Sequence, residues 1–138
     1  MRKILFLALF TCFTVLTSCS VDDNAVVVQF EPIPIENVII PMEFNLGETY
    51  TISVTYKRPT DCHSFNNLEY VAESNNVRTI AVVALVTTGD CTTLTDNFQT
   101  QTFNFNVLDS NPYTFKFWQG KNDNGQDMYL EYEIPVNN

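Results

Sequence analysis

Basic residues are scarce in this chain. Seven lysines and arginines stand against 16 aspartates and glutamates, for a net charge of −9. Such a chain is repelled by nucleic acid and by anionic lipid surfaces, so nucleic acid is not among its expected partners. Histidine occurs once, at His63. No Gly-x-Ser-x-Gly turn presents a nucleophile, and no glycine-rich loop cradles a phosphate. No apolar run reaches the ~20 residues that a membrane-spanning helix needs. Beyond the N-terminal apolar block, no segment keeps a helical period. These absences argue against an enzyme, a nucleotide-binding fold and a helical membrane protein. No catalytic residue, cofactor or metal is expected.

The longest apolar run, Ile4 to Leu16, follows Arg2 and Lys3. A basic head followed by an apolar run shorter than a span reads as a secretory signal. Leu16-Thr17-Ser18-Cys19 closes it with a branched apolar residue, two small residues and a cysteine. This resembles the lipobox of bacterial lipoproteins. The resemblance implies cleavage after Ser18 and lipidation of Cys19, with residues 1–18 removed and 19–25 left as an acidic tether. More than one acyl chain makes such an anchor stable, at ~0.8 kcal/mol for each buried CH₂. Ser20 stands where an aspartate would retain the protein at the inner membrane, which favours the outer membrane. Asp22 and Asp23 resemble the surface-export signal of Bacteroidota lipoproteins.

The remaining roughly 120 residues suit one domain with its own core. On this reading Cys12 leaves with the signal and Cys19 carries lipid. Cys62 and Cys91 remain, in a compartment that permits disulfides, and two thiols without further ligands make no zinc site. A disulfide is expected, contributing about 3–4 kcal/mol through loop entropy.

Residues 26–138 read as short strands separated by turn residues. Tyr50, Ile52, Val54 and Tyr56 alternate with Thr51, Ser53 and Thr55, and Phe103, Phe105 and Val107 alternate with Asn104 and Asn106. Val26 to Phe30 is a short apolar strand. Pro32 and Pro34 mark an edge segment or a switch between sheets. Val38 to Phe44, broken by Pro41, reads as a further edge strand. The expected fold is all-β, an antiparallel β-sandwich of seven to eight strands, most simply immunoglobulin-like.

Two hairpins can be given a register. With a two-residue turn at Asn75-Asn76, Glu73 faces Arg78, Val71 faces Ile80 and Leu68 faces Val83, and the Cys62–Cys91 bridge closes the open end. With Asn124-Gly125 at the centre of the second turn, Lys116 faces Glu133, Phe117 faces Tyr132, Phe115 faces Ile134, Trp118 faces Glu131 and Gly120 faces Tyr129. Phe115, Phe117, Leu130, Tyr132 and Ile134 should then enter the core. Trp118 and Tyr129 fall on the opposite face, diagonal neighbours among Lys116, Glu131 and Glu133.

That face is the candidate binding surface, formed by Trp118, Tyr129, Lys116 and Glu131. An aromatic pair rimmed by charge suits a glycan or a protein partner. Three weaker constellations are read as structural. Asn122 to Asp127 resembles a calcium loop only loosely, with Gly120 where an aspartate is required. Asp61, His63 and Asp90 flank the expected disulfide as surface polar residues. Glu131 and Glu133 are a solvated pair rather than glycosidase acids.

The lipobox around Cys19, the Asp61-Cys62 and Asp90-Cys91 pairs, and the Phe115-Lys116-Phe117-Trp118-Gln119-Gly120-Lys121 strand together resemble small Bacteroidota lipoproteins carrying one sandwich domain. The resemblance implies a non-catalytic outer-membrane lipoprotein, held by its N-terminal lipid and open to surface exposure. Such a module would bind an envelope protein or glycan. The alternative is a structural or accessory subunit of an outer-membrane complex with no ligand of its own.

Overall fold

Strand alternation alone sorts much of this chain into inside and outside. In the computed structural model, which describes residues 26–73 and 76–138, Ile52, Val54 and Tyr56 are buried while Thr51, Ser53 and Thr55 face outward. The expected signal, Cys12, Cys19 and the acidic tether lie outside the described residues.

Among the described residues there are ten strands and no helix: β1 Val28–Ile33, β2 Ile35–Ile39, β3 Phe44–Asn45, β4 Thr49–Lys57, β5 His63–Ala72, β6 Val77–Thr87, β7 Phe98–Asn106, β8 Tyr113–Lys121, β9 Asp127–Ile134 and β10 Val136–Asn137. A five-stranded sheet holds β1, β5, β6, β8 and β9, and a three-stranded sheet runs β2-β4-β7. The chain is therefore a β-sandwich. Pro34, which lacks a ladder N–H, is where the chain leaves the first sheet for the second: Ile33 pairs with Val82 of β6, and Ile35 pairs with Tyr56 of β4.

Two features correct the expectation of seven to eight antiparallel strands. Prolines divide both ends of the domain into short pieces, Pro34 and Pro41 among β1, β2 and β3 and Pro135 between β9 and β10, which raises the strand number to ten. Two pairs are parallel, β8 on β6 and β10 on β3. The first arises because the chain visits the other sheet as β7 before it returns as β8. One edge of β6 is shared, with β1 on Val82–Thr87 and β8 on Val77–Ile80.

The core lies between the sheets. Ile33, Ile35, Phe44, Val54, Ile80, Val82, Phe105, Tyr113, Phe115 and Phe117 are all buried there. Phe44 sits at its centre, with ring centroids 4.7 Å from Tyr50, 5.5 Å from Phe105 and 6.0 Å from Phe115. Of the face expected inward on the second hairpin, Phe115, Phe117 and Ile134 are buried, and Leu130 and Tyr132 pack half-buried against them.

Both hairpin registers differ from expectation, and the turns are the first reason. Three residues separate the paired ends of each turn and the last of them is left-handed, a geometry that shifts pairing by one position relative to a two-residue turn. In the first, Glu73 N–H donates to Val77 O at 2.9 Å and Asn76 has φ 60°. Leu68 therefore faces Val82 and Val71 faces Thr79. In the second, Gly125 N–H donates to Asn122 O and Asn122 N–H to Gln126 O, both at 2.9 Å, with Gly125 at φ 75°. Next to this turn Lys121 faces Asp127 and Gly120 faces Met128, one position from expectation. A bulge between Trp118 and Gly120 adds a second position, so Lys116 faces Glu131 rather than Glu133, Phe117 faces Leu130, Phe115 faces Tyr132 and Trp118 faces Tyr129. The total shift of two preserves the faces.

Cys62 and Cys91 form a disulfide with Cα atoms 5.5 Å apart, closing a separation of 29 residues. The ladder places Thr87 opposite Cys62, with Thr87 N–H donating to Cys62 O at 3.2 Å. The bridge thus joins the entry of β5 to the loop that follows β6.

Candidate functional site

The β8–β9 hairpin carries the candidate surface on the outer face of the five-stranded sheet. Trp118 and Tyr129 are directly opposed across the two strands, and both are half-buried. The register places Lys116 against Glu131 in the next outward rung, with Nζ 3.7 Å from Oε1. Lys116 Nζ also lies 5.4 Å from the centroid of the Tyr129 ring, within cation–π range. All four residues nominated from the sequence thus meet on one face.

Asp127, at the start of β9, fixes the indole. Its Oδ1 accepts hydrogen bonds from Lys121 Nζ at 2.8 Å and from Trp118 Nε1 at 2.9 Å. Those two donors, Lys121 first and Trp118 second, hold the Asp127 carboxyl below its ordinary value. The bulge at Gln119 turns the strand here. Gly120 has φ 104°, and a Cβ on it would lie 3.5 Å from Pro34 Cγ, so the hairpin packs close against the crossover between sheets.

Sequence reasoning missed the other wall of the site. A groove of about 320 Å³ is lined by Trp118, Tyr129, Lys121 and Asp127 on one side and by Glu69, Val71, Thr79, Ala81 and Pro32 on the other. The second set comes from β5, β6 and β1, brought alongside by the parallel β6–β8 pairing. No local pattern in the sequence carries that information. The Lys121–Asp127 pair was within reach, because a three-residue turn sets those residues opposite each other.

The weaker constellations resolve into structure. Asn122 Oδ1 accepts the N–H groups of Asn124 and Gln126, each at 3.0 Å, so its oxygen serves the turn. His63, expected at the surface, is buried at 8 % exposure, because it is an inward residue at the start of β5. Its Nδ1 lies 2.7 Å from Thr60 Oγ1 and its Nε2 3.5 Å from Glu31. Asp61 Oδ1 accepts Thr92 N–H at 2.8 Å. Asp61 approaches Cys62 and Cys91 closely, but both sulfurs are spent in the disulfide and offer no thiolate to a metal.

The face presents two oriented rings, the carboxylates of Asp127, Glu131 and Glu69, and the ammonium groups of Lys116 and Lys121. No family model matches the chain, and no curated protein or solved structure matches it.

Proposed function

We propose that this protein is a membrane-anchored, non-catalytic lipoprotein of the bacterial envelope, and that it holds a protein or glycan partner on the Trp118–Tyr129 face. The observation that carries the reading is the orientation of those two rings. Trp118 is tied to Asp127, and Tyr129 is covered by Lys116, so neither waits for a ligand to set its position. Rings already ordered lose little freedom on binding, and rigid aromatics are the usual anchors of a recognition surface. Anchoring rests on the lipobox at Cys19.

The immunoglobulin-like assignment belongs to the same proposal. It is supported by Tyr113 at the start of β8, whose hydroxyl accepts backbone N–H groups from just upstream, as in the tyrosine corner of that fold.

Two experiments test the reading. Replacing Cys19 with Ala should move the protein from the membrane to the soluble fraction, and continued membrane association counts against the anchor. Pull-down from envelope extracts with the full-length protein should recover a protein or glycan that Trp118→Ala and Tyr129→Ala variants lose. Equal recovery by the variants removes the aromatic face from the proposal. The second reading, a structural subunit of a larger complex, is favoured by one observation: β7 leaves a long edge unpaired among the described residues.

A further inference from the structure

In the two larger sheets five strands have a free edge among the described residues: β1, β5 and β9 in one, β2 and β7 in the other. Free edges invite pairing with another chain, and proteins blunt them with charge, proline, bulges or shortness. Four of the five are blunted in these ways. β1 carries Glu31 and Pro32. β5 has a bulge between Phe65 and Asn67 and carries Glu69. β9 carries Asp127, Glu131 and Glu133. β2 has 5 residues, a bulge between Ile35 and Asn37, and prolines on either side.

β7 has none of these devices. Its 9 residues, Phe98-Gln99-Thr100-Gln101-Thr102-Phe103-Asn104-Phe105-Asn106, include no charge and no proline, and its ladder with β4 runs without a bulge. Among the described residues it is the only strand longer than two residues that lacks a charged side chain.

Both faces beside this edge are also suited to contact. Outward, Thr100, Thr102, Asn104 and Asn106 lie against Thr55, Ser53, Thr51 and Thr49, a neutral polar ladder in a strongly acidic chain. Inward, a groove of about 420 Å³ opens between β7 and β5, with Phe103 and Phe105 on one wall and Leu68 and Tyr70 on the other. Leu108 beside it is 83 % exposed and Tyr70 43 % exposed, apolar surface left uncovered at that side.

We propose that β7 of one copy pairs antiparallel with β7 of a second copy, about a two-fold axis through Thr102, to make one continuous six-stranded sheet. Charge argues for a second copy as the occupant. Molecules carrying −9 repel one another over most of their surface, and the β7 edge is where that repulsion is least. An uncharged edge offers a charged partner strand nothing to complement. Side-chain chemistry agrees. In this register Thr100 faces Asn104 across the axis, Gln101 faces Phe103, and outward residues stay outward. Thr–Asn pairs already join β4 to β7, through Thr51 to Asn104 at 2.9 Å and Thr49 to Asn106 at 2.7 Å. Asn104 uses its oxygen in that bond, which leaves its amide N–H groups to donate to Thr100 of the second copy. The contact is isologous and closes as a dimer. It goes beyond either reading of the function and requires neither the lipid nor the aromatic face.

Cross-linking in cells that express the full-length chain tests the register. Directly opposed residues of an antiparallel pair have Cα atoms about 4.5–5.5 Å apart, inside the range a disulfide accepts. Under a mild oxidant, Thr102→Cys should give a reductant-sensitive dimer, and Ser53→Cys, on the same face but one strand inward, should not. Adding Thr100→Lys to Thr102→Cys should abolish the dimer by setting charge against the edge. As a second measurement, co-expressed Thr100→Cys and Asn104→Cys chains should cross-link to each other while neither cross-links to itself. Absence of the dimer from Thr102→Cys together with absence from the mixed pair overturns the proposal. So does an equal yield from Ser53→Cys.

Discussion

The phenolic oxygen of Tyr113 lies 3.0 Å from the backbone nitrogen of Asp109 and 3.2 Å from that of Leu108, and accepts a hydrogen bond from each. The ring itself is buried, 4.9 Å from Phe105 and 5.1 Å from the Arg78 guanidinium. One side chain thus fixes the path between β7 and β8, where the chain crosses from one sheet to the other. Tyr113→Phe keeps the ring and removes the acceptor. It should lower stability by about 1–2 kcal/mol, measured by urea unfolding, because two N–H groups lose their partner. An unchanged midpoint would show that water replaces the hydroxyl without loss.

Asn76 closes the β5–β6 turn at φ 60°, a left-handed conformation that side chains with a Cβ adopt at a cost. Asn76→Gly should be about neutral, since glycine accepts that region freely. Asn76→Ala should cost about 1–2 kcal/mol. Equal unfolding midpoints for the two variants would mean that the turn changes type on substitution.

What the sequence made legible was the alternation of faces. Tyr50 to Tyr56, Phe103 to Val107 and the Phe115/Phe117/Ile134 face could be assigned inward because side-chain period is a local property. Pro32 and Pro34 could be read as an edge segment or a sheet switch for a similar reason, since proline lacks a ladder donor, and the pairings of Ile33 and Ile35 decide for the switch at Pro34. Register was less legible. Asn124-Gly125 fits either a two-residue turn or the end of a three-residue one, and the two differ at Asn124, which a two-residue type I′ turn would also hold left-handed and which is not left-handed here. The Lys116 partner moved from Glu133 to Glu131 because the turn and the bulge at Gln119 each shift the ladder by one. The groove beside Trp118 was not legible at all. Pro32, Glu69 and Thr79 reach it through pairings of distant strands, which no local period encodes.

Phe44 shows how much a two-residue strand can carry. β3 is too short to stand by itself, yet Phe44 is fully buried and contacts rings from β4, β7 and β8. Its neighbours come from both sheets, so little can collapse into the space it would leave. Phe44→Ala should cost about 3–5 kcal/mol, among the largest losses for any single truncation here. A loss below about 1 kcal/mol would show that Tyr50 or Tyr113 repacks into the cavity.

The disulfide should matter to stability and not to architecture. It closes 29 residues of chain, a constraint worth about 3–4 kcal/mol in the unfolded ensemble. The β5–β6 ladder beneath it is complete without the bridge. The Cys62→Ala/Cys91→Ala double variant should therefore lose about 3–4 kcal/mol while keeping its far-ultraviolet circular dichroism. Loss of that spectrum at room temperature would make the bridge a condition of folding.

Asp127 links the candidate face to pH. Its carboxylate accepts Lys121 and Trp118, and those bonds hold it below the ordinary value of 3.8. A carboxyl with a depressed folded pKa binds fewer protons folded than unfolded in the intervening window, so stability rises with pH there. The contribution is whole above 3.8 and is lost as pH falls through the depressed value. The indole N–H of Trp118 reports the event directly, because protonation of Asp127 weakens its acceptor. In a nuclear magnetic resonance titration, that signal should move with a midpoint below 3.8, and Asp127→Asn should abolish the movement. A midpoint at or above 3.8, or a movement that survives in Asp127→Asn, would assign it to another carboxylate. The same titration bears on binding. If the fixed indole is what a partner meets, capture by the face should weaken over the pH range in which the Trp118 signal moves, and not above it.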